Sequence, residues 1–250
     1  SWFPGGMVIG DKTFTLTGNG EMTLSPGEIP SSTASAVVSA DGNLTGYLRS
    51  LNSYGQRYSL PGLSQPGKFV SIPYVATESG WRTGLGIFNP SDEEITVTIR
   101  YDSGTLSDVT LAAKAQYFIW LNEGADSPNS LRASGNIAAV EIFESLAAEG
   151  DRSALLLKEC FLNALYLPYI SYGSGEFTRF GLRNGNSEGM VTVTGYNSMG
   201  ETEEVSLGFL SSRSRMEANL SRLLGDDNRW AQIKGKANFT TPLGSPPLHF

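Results

Sequence analysis

An internal repetition constrains this chain more than any other feature. Ile72-Pro73-Tyr74-Val75 reappears as Leu167-Pro168-Tyr169-Ile170, an offset of 167 − 72 = 95 residues. The same offset runs without a gap from 35–103 onto 130–198, and 17 of those 69 pairs are identical, which marks the two stretches as copies of one structural unit. The identities include Ser50-Leu51 on Ser145-Leu146, Arg57 on Arg152, Gly86 on Gly181, Asn89 on Asn184 and Tyr101 on Tyr196. Farther on the offset lengthens to 99, setting Leu111 on Leu210 and Leu121 on Leu220. The extra residues are expected in the turn beyond Ser103 and Ser198 and in the strand after it.

A period of 95 residues is too long for a solenoid unit and is the size of an independent β-sandwich. Short alternating segments fill it: Thr83–Phe88, Glu94–Tyr101 and Ala115–Leu121. An alternation of period 2 predicts strands with one buried and one wet face. Residues that tolerate positive φ stand between them, at Gly18-Asn19-Gly20, Asp41-Gly42-Asn43, Asp102-Ser103-Gly104 and Asn197-Ser198-Met199-Gly200. Connections this short join antiparallel strands. The expected class is all-β, tandem immunoglobulin-like antiparallel sandwiches. One segment reads otherwise: Ala154–Leu165 has helical propensity, yet its counterpart 59–70 carries Pro61, Gly62, Pro66 and Gly67, which no helix interior tolerates. A shared fold makes the segment strand or loop, and a short helix in the second copy is the alternative.

The ungapped offset also predicts which side chains face inward. Leu85, Ile87, Ile95, Val97 and Ile99 are expected to pack as Phe180, Leu182, Met190, Thr192 and Thr194 do in the next unit. Val191 and Val193 replace Thr96 and Thr98, however, so the two faces of that strand exchange character.

Charge and rare residues exclude several functions. A net charge of −7 and a pI near 4.8 give no electrostatic footprint for nucleic acid or anionic lipid. No apolar run approaches the roughly 20 residues of a helical membrane span. The single histidine, His249, is next to last, so an imidazole-based triad or a His-rich zinc site has no imidazole inside the fold. The single cysteine, Cys160, lies beside Phe161 and Leu162 and reads as a small buried hydrophobe. Adjacent acids at Glu93-Glu94, Glu203-Glu204 and Asp226-Asp227 are the places to look for a carboxylate-only hydrolase, but neighbours on a strand point to opposite faces and these pairs border turns. No catalytic residue, metal ligand or cofactor-binding residue is expected, and no cofactor.

Tyr74-Val75 leading to Ser79-Gly80-Trp81, a strand ending in Asn89-Pro90, a Thr/Val-rich strand, an Asp-Ser-Gly turn, and Ala138–Phe143 before Leu167-Pro168-Tyr169 together resemble uncharacterised tandem β-sandwich repeats of exported bacterial surface proteins. The second copy departs from the pattern, with Glu176 where the first has Trp81 and Asn184-Gly185 in place of Asn-Pro. Trp230-Ala231 matches the start of a later strand of that pattern, where the first copy has Leu131-Arg132. The resemblance covers roughly 35–240 and implies an extracellular or cell-surface structural module without a catalytic residue to carry over.

Aromatic residues open a second reading. Trp81 and Tyr54 stand beside turns and are the candidates for a sugar-stacking surface, although most other aromatics alternate within apolar strands as core residues do. The Asp/Asn clusters at Asp41-Gly42-Asn43 and Asp226-Asp227-Asn228 lack calcium-loop spacing and read as turns.

The period divides the chain into a partial or smaller β-domain at 1–71, a sandwich at 72–166, and a sandwich at 167–250 short of its last strands. Ser1 in place of Met, without a basic-then-apolar leader, fits a processed export product or a piece of a longer chain. Two open ends suggest head-to-tail self-association, a strand from residues 1–30 completing a neighbour's sandwich. Lys12–Thr17 and Glu21–Leu24 are alternatively strands of their own domain. The expected function is a non-catalytic extracellular structural or assembly module, a subunit of a surface layer or filament. A glycan-binding adhesive module is the first alternative and a carboxylate-only hydrolase the second.

Overall fold

The computed structural model describes residues 2–3, 12–16, 21–29, 35–42, 47–51, 57–63, 65–76, 80–121, 126–146, 152–157, 162–167, 179–184, 188–211, 214–224 and 228–240. Four short strands come first: β1 (Trp2–Phe3) pairs with β2 (Ser35–Ala36), and β3 (Tyr47–Leu51) with β4 (Arg57–Pro61). The first large sheet holds β5 (Gly67–Ser71), β6 (Trp81–Phe88), β7 (Ile95–Tyr101), β8 (Leu106–Leu111), β9 (Gln116–Leu121), β10 (Pro128–Ser145) and β11 (Arg152–Leu157). The second holds β12 (Leu162–Leu167), β13 (Arg179–Asn184), β14 (Gly189–Asn197), β15 (Thr202–Leu210), β16 (Arg215–Asn219) and β17 (Asn228–Thr240). A 3-10 turn at Pro26–Glu28 and a single α-turn at Leu220–Leu223 are the helical elements among the described residues. The chain is all-β, and every strand pairing among the described residues is antiparallel.

Both large sheets read alike from edge to edge. The first runs β8-β7-β10-β6-β9 and the second β15-β14-β17-β13-β16. In each, the last long strand inserts between two earlier ones, so β6 and β7 are neighbours in sequence but lie on opposite flanks of β10. The 18-residue β10 serves four ladders. Its first half pairs with β5 and β7, and its second half, from Ala138, pairs with β6 and β11. The ladder to β5 shifts register between Arg132 and Ile137, around Gly135, where an added Cβ would come within 2.6 Å of the Ile95 side chain. A strand bent where it changes partners curls the sheet into a half-barrel.

The concave side of the half-barrel is the core. Period 2 puts Ile95, Val97 and Ile99 of β7 inward, opposite Leu85 and Ile87 of β6, with Leu131, Ile137 and Ala139 of β10 between them. Burying each large side chain contributes roughly 1.5–3 kcal/mol. A second core gathers Leu182, Val191, Val193, Leu210, Leu220 and Ile233.

In β14 the inward residues are Val191 and Val193, both fully buried, while Thr192 and Thr194 are half-buried and Met190 is 50% exposed. This corrects the inward set expected from the ungapped offset. The hairpin turns show why. Gly104 N–H bonds Tyr101 C=O at 3.0 Å, and Gly200 N–H bonds Asn197 C=O at 3.1 Å. The turns match at 200 − 104 = 96, one more than the offset across Asn89 and Asn184, so an extra residue enters before Val191 and flips every later side chain. The turns themselves are equal in length. The remaining extra residues lie in β15, nine residues long against six in β8, where the ladder to β14 shifts between Val191 and Thr192 at Gly208 (φ +102°).

Two other expectations meet the structure at the chain's less regular segments. Ala154–Leu157 and Leu162–Leu165 are strand, in β11 and β12, rather than helix. Residues 12–16 and 21–24, in contrast, form no strand. Lys12 instead bonds Glu28 at 2.8 Å and lies 5.2 Å from the Phe14 ring, and Glu28 also accepts from Ser25 N–H at 3.0 Å. These local side-chain bonds compete with the strand that the alternation of Thr and apolar residues suggested. Phe180, Tyr54, Asn43, Cys160, Asp226-Asp227 and His249 lie outside the described side chains.

Candidate functional site

Polar side chains concentrate where the two large sheets meet. Alternation puts Leu182 of β13 into the second core, so Gly181 and Arg183 face the other way, toward the first sheet. Gly181 lies against the segment after β5: a Cβ there would stand 2.7 Å from Pro73 O and 2.8 Å from Tyr74 Cβ. Only glycine permits that approach, which gives the Gly86–Gly181 identity a packing reason in this copy. Tyr74 in turn packs on Phe143 of β10, with ring centroids 5.3 Å apart. Arg183, 4% exposed, donates from Nη1 to Ser71 Oγ at 3.2 Å and from Nη2 to Asn129 Oδ1 at 3.3 Å. Arg215 of β16, beside Arg183 in the ladder, donates to Asp102 at 2.9 Å and lies 3.6 Å from Glu217. Glu141 enters the same region from β10. Its carboxyl is wholly buried, neither oxygen has a hydrogen-bond partner among the described residues, and burial pushes its pKa well above the ordinary carboxylate range against the pull of Arg215.

A second cluster covers the convex side of the first sheet. Gly84 and Gly86 of β6 leave a trough, and the aromatic rings of the adjacent β9 lie over it. A Cβ on Gly84 would meet Phe118 Cζ at 2.5 Å and Trp120 Cζ3 at 3.0 Å. The two rings pack edge to face at 5.2 Å. Arg82 stacks over Trp120, its Cζ 4.0 Å from the ring centroid, and its Nε donates to Glu144 Oε2 at 2.7 Å. The guanidinium is thereby fixed as a lid over one indole face, while Phe118 stays 38% exposed.

The residues singled out from sequence fall elsewhere. Trp81 is half-buried at the start of β6, opposite Ser145, and shares the inward parity of Thr83, Leu85 and Ile87. Among the described residues of this sheet the exposed aromatic is Phe118, on β9. The alternating glycines of β6 were the signal for it, because glycines two apart in a strand leave a groove that large cross-strand rings fill. Glu93-Glu94, in the connection from β6 to β7, and Glu203-Glu204, near the start of β15, are exposed. Among the described residues no three His, Cys, Asp or Glu side chains come together to hold a metal ion, and no helix is long and apolar enough to cross a membrane.

Among the described residues, neither site contains a nucleophile hydrogen-bonded to a base. What the junction does is tie the two sheets together, Arg183 to Ser71 and Asn129 and Arg215 to Asp102. No family model, curated protein or solved structure matches the chain.

Proposed function

We propose that the chain is a non-catalytic module of tandem immunoglobulin-like sandwiches with a structural or assembly role outside the cell. The observation that carries this reading is the junction itself. Two sheets of the same strand order are seated in series by Arg183 on Ser71 and Asn129 and by Arg215 on Asp102, the arrangement of a chain built by adding like units end to end. The resemblance to tandem repeats of exported bacterial surface proteins points the same way. The strongest chemical candidate, Glu141, is closed to substrate by its full burial. Head-to-tail association is part of the proposal. Residues 12–16 lie outside every strand and Leu16 is 45% exposed, which leaves a segment with strand-like alternation available to a neighbour. A contact between unlike surfaces does not close on itself and grows into a filament.

Light scattering across a concentration series, on the full chain and on a variant lacking residues 1–24, tests the assembly. Mass that grows with concentration, and that the deletion abolishes while leaving the sheets folded, supports it. A full chain that stays monomeric at every concentration overturns it.

Glycan binding is favoured by one observation, the partly exposed Phe118 beside Trp120. Arg82 covers an indole face that a pyranose ring would use, so Phe118 carries this reading. Titration of a glycan panel against Phe118→Ala separates it from the first.

A further inference from the structure

Glu141 is the buried ionisable group that the packing of its own sheet does not explain. It lies on the concave side of β10, with Leu85 of β6 and Leu155 of β11 opposite it in the two flanking ladders, so its lateral neighbours are hydrocarbon. Among the described residues, the charges acting on it belong to the second sheet: Arg215 and Glu217, both on β16. Arg215 is already engaged by two carboxylates, those of Asp102 and Glu217, and its buried Nη1 makes no hydrogen bond to Glu141. Arg183 of β13, the other cation of the junction, is turned to Ser71 and Asn129. A negative charge on Glu141 would therefore be a third carboxylate on a guanidinium whose Nη2 and Nε already face Asp102 and Glu217, in a place that water does not reach. Such a charge is tolerated only if the site opens.

We infer that Glu141 is a proton-operated latch on the junction: uncharged it lets the β13–β16 face seat against the first sheet, and ionised it drives the two apart. Burial holds the proton on the seated carboxyl above the ordinary value of 4.5. Opening exposes the group, which then releases the proton. The opening constant is flat below pH 4.5, rises about tenfold per pH unit from there to the seated-state pKa, and levels off above it. Acid closes the latch and alkali loosens it. The latch belongs to the junction alone and operates whether or not the chain assembles.

Amide hydrogen exchange on the full chain reads this directly. Protection of β13 and β16 is followed from about pH 4 to pH 9 with intrinsic rates divided out, so that a slope of one in log opening against pH means one proton released. The wild type should show that slope above pH 4.5. Glu141→Gln, the same shape without the charge, should show none, and Glu141→Leu should agree with it. Glu217→Gln should keep the slope. A wild type flat across the range would mean that Arg215 Nη1 receives the ionised carboxylate. A slope that survives in both Glu141 variants would mean that another group titrates. Either result overturns the latch.

Discussion

Asn89 and Asn184 make the same contact in the two sheets. Asn89 Nδ2 donates to the carbonyls of Leu111 at 3.2 Å and Ala112 at 2.9 Å, and Asn184 Nδ2 donates to those of Leu210 at 3.1 Å and Ser211 at 2.9 Å. Both side chains are fully buried. Each sits at the end of a strand, β6 or β13, and ties it to the residues where the next hairpin finishes. Both the 95-residue offset of the asparagines and the 99-residue offset of their acceptors are thus realised in hydrogen bonds.

Removing either amide leaves a buried carbonyl, that of Leu111 or Leu210, unsatisfied, a loss of about 1–3 kcal/mol. Asn89→Ala and Asn184→Ala should each lower the denaturant midpoint in that range. Asn89→Ala should be the more damaging, because Asn89 Oδ1 also accepts from Ser91 N–H at 3.0 Å and Ser91 Oγ at 2.7 Å. A midpoint shift too small to resolve in both would show that the contact is incidental.

Inward parity makes a paired test of register. Leu85, 1% exposed, should cost about 2–5 kcal/mol when changed to Ala. Met190→Ala, on the outer face of β14, should stay within about 0.5 kcal/mol. Equal costs at the two sites would mean that β14 is threaded one residue away from the pairing of Val191 with Gly235 and Val193 with Ile233.

Gly181 and Gly84 differ in what a methyl would strike. At Gly181 the obstacle is the Pro73 backbone at 2.7 Å, which cannot turn aside, whereas at Gly84 it is the far edge of the Phe118 ring. Overpacking costs typically about 1–3 kcal/mol. Gly181→Ala should lie at the upper end and loosen exchange protection in β13, while Gly84→Ala should be milder and raise the exposure of Phe118. The reverse order would contradict the close seating at Pro73.

Glu28 offers a local pH test. The hydrogen bond from Lys12, followed by those from Ser25 N–H and Ser25 Oγ, lowers its carboxyl from 4.5 to about 2. Because the folded value is depressed, the contact is fully present above pH 4.5 and is lost as the pH falls through about 2. Carboxyl chemical shifts should report that midpoint in the wild type and a clearly higher one in Lys12→Ala.

Much of the fold was legible because sheets advertise themselves by alternation. Ile95, Val97 and Ile99 against Thr96 and Thr98 specify both the strand and its buried face. The second copy misled at one strand for a reason equally local: a single added residue between Asn184 and Val191 is invisible to an ungapped comparison yet exchanges the two faces, and the swap of Thr and Val was its trace. The N-terminal Thr-rich stretch alternates as a strand does, but alternation describes a face and supplies no neighbour to pair with. Sites were harder to foresee. Glu141 gives no signal in a sequence where acids abound, since its character comes from Leu85, Leu155 and Arg215 arriving from three other strands. Phe118 and Trp120 become a platform only once Gly84 and Gly86 are known to lie beneath them.

Arg183 and Arg215 join the two large sheets through Ser71, Asn129 and Asp102, and these contacts should hold the sheets as one body in solution. Spin labels on cysteines replacing Ser107 in β8 and Glu204 in β15, with Cys160 changed to Ser, measure the distance between the sheets in solution. A single narrow distance distribution near neutral pH, broadened by Arg183→Ala, is the expected result. A broad distribution in the chain with both arginines intact would show that the sheets move independently and that these contacts do not hold them as one body.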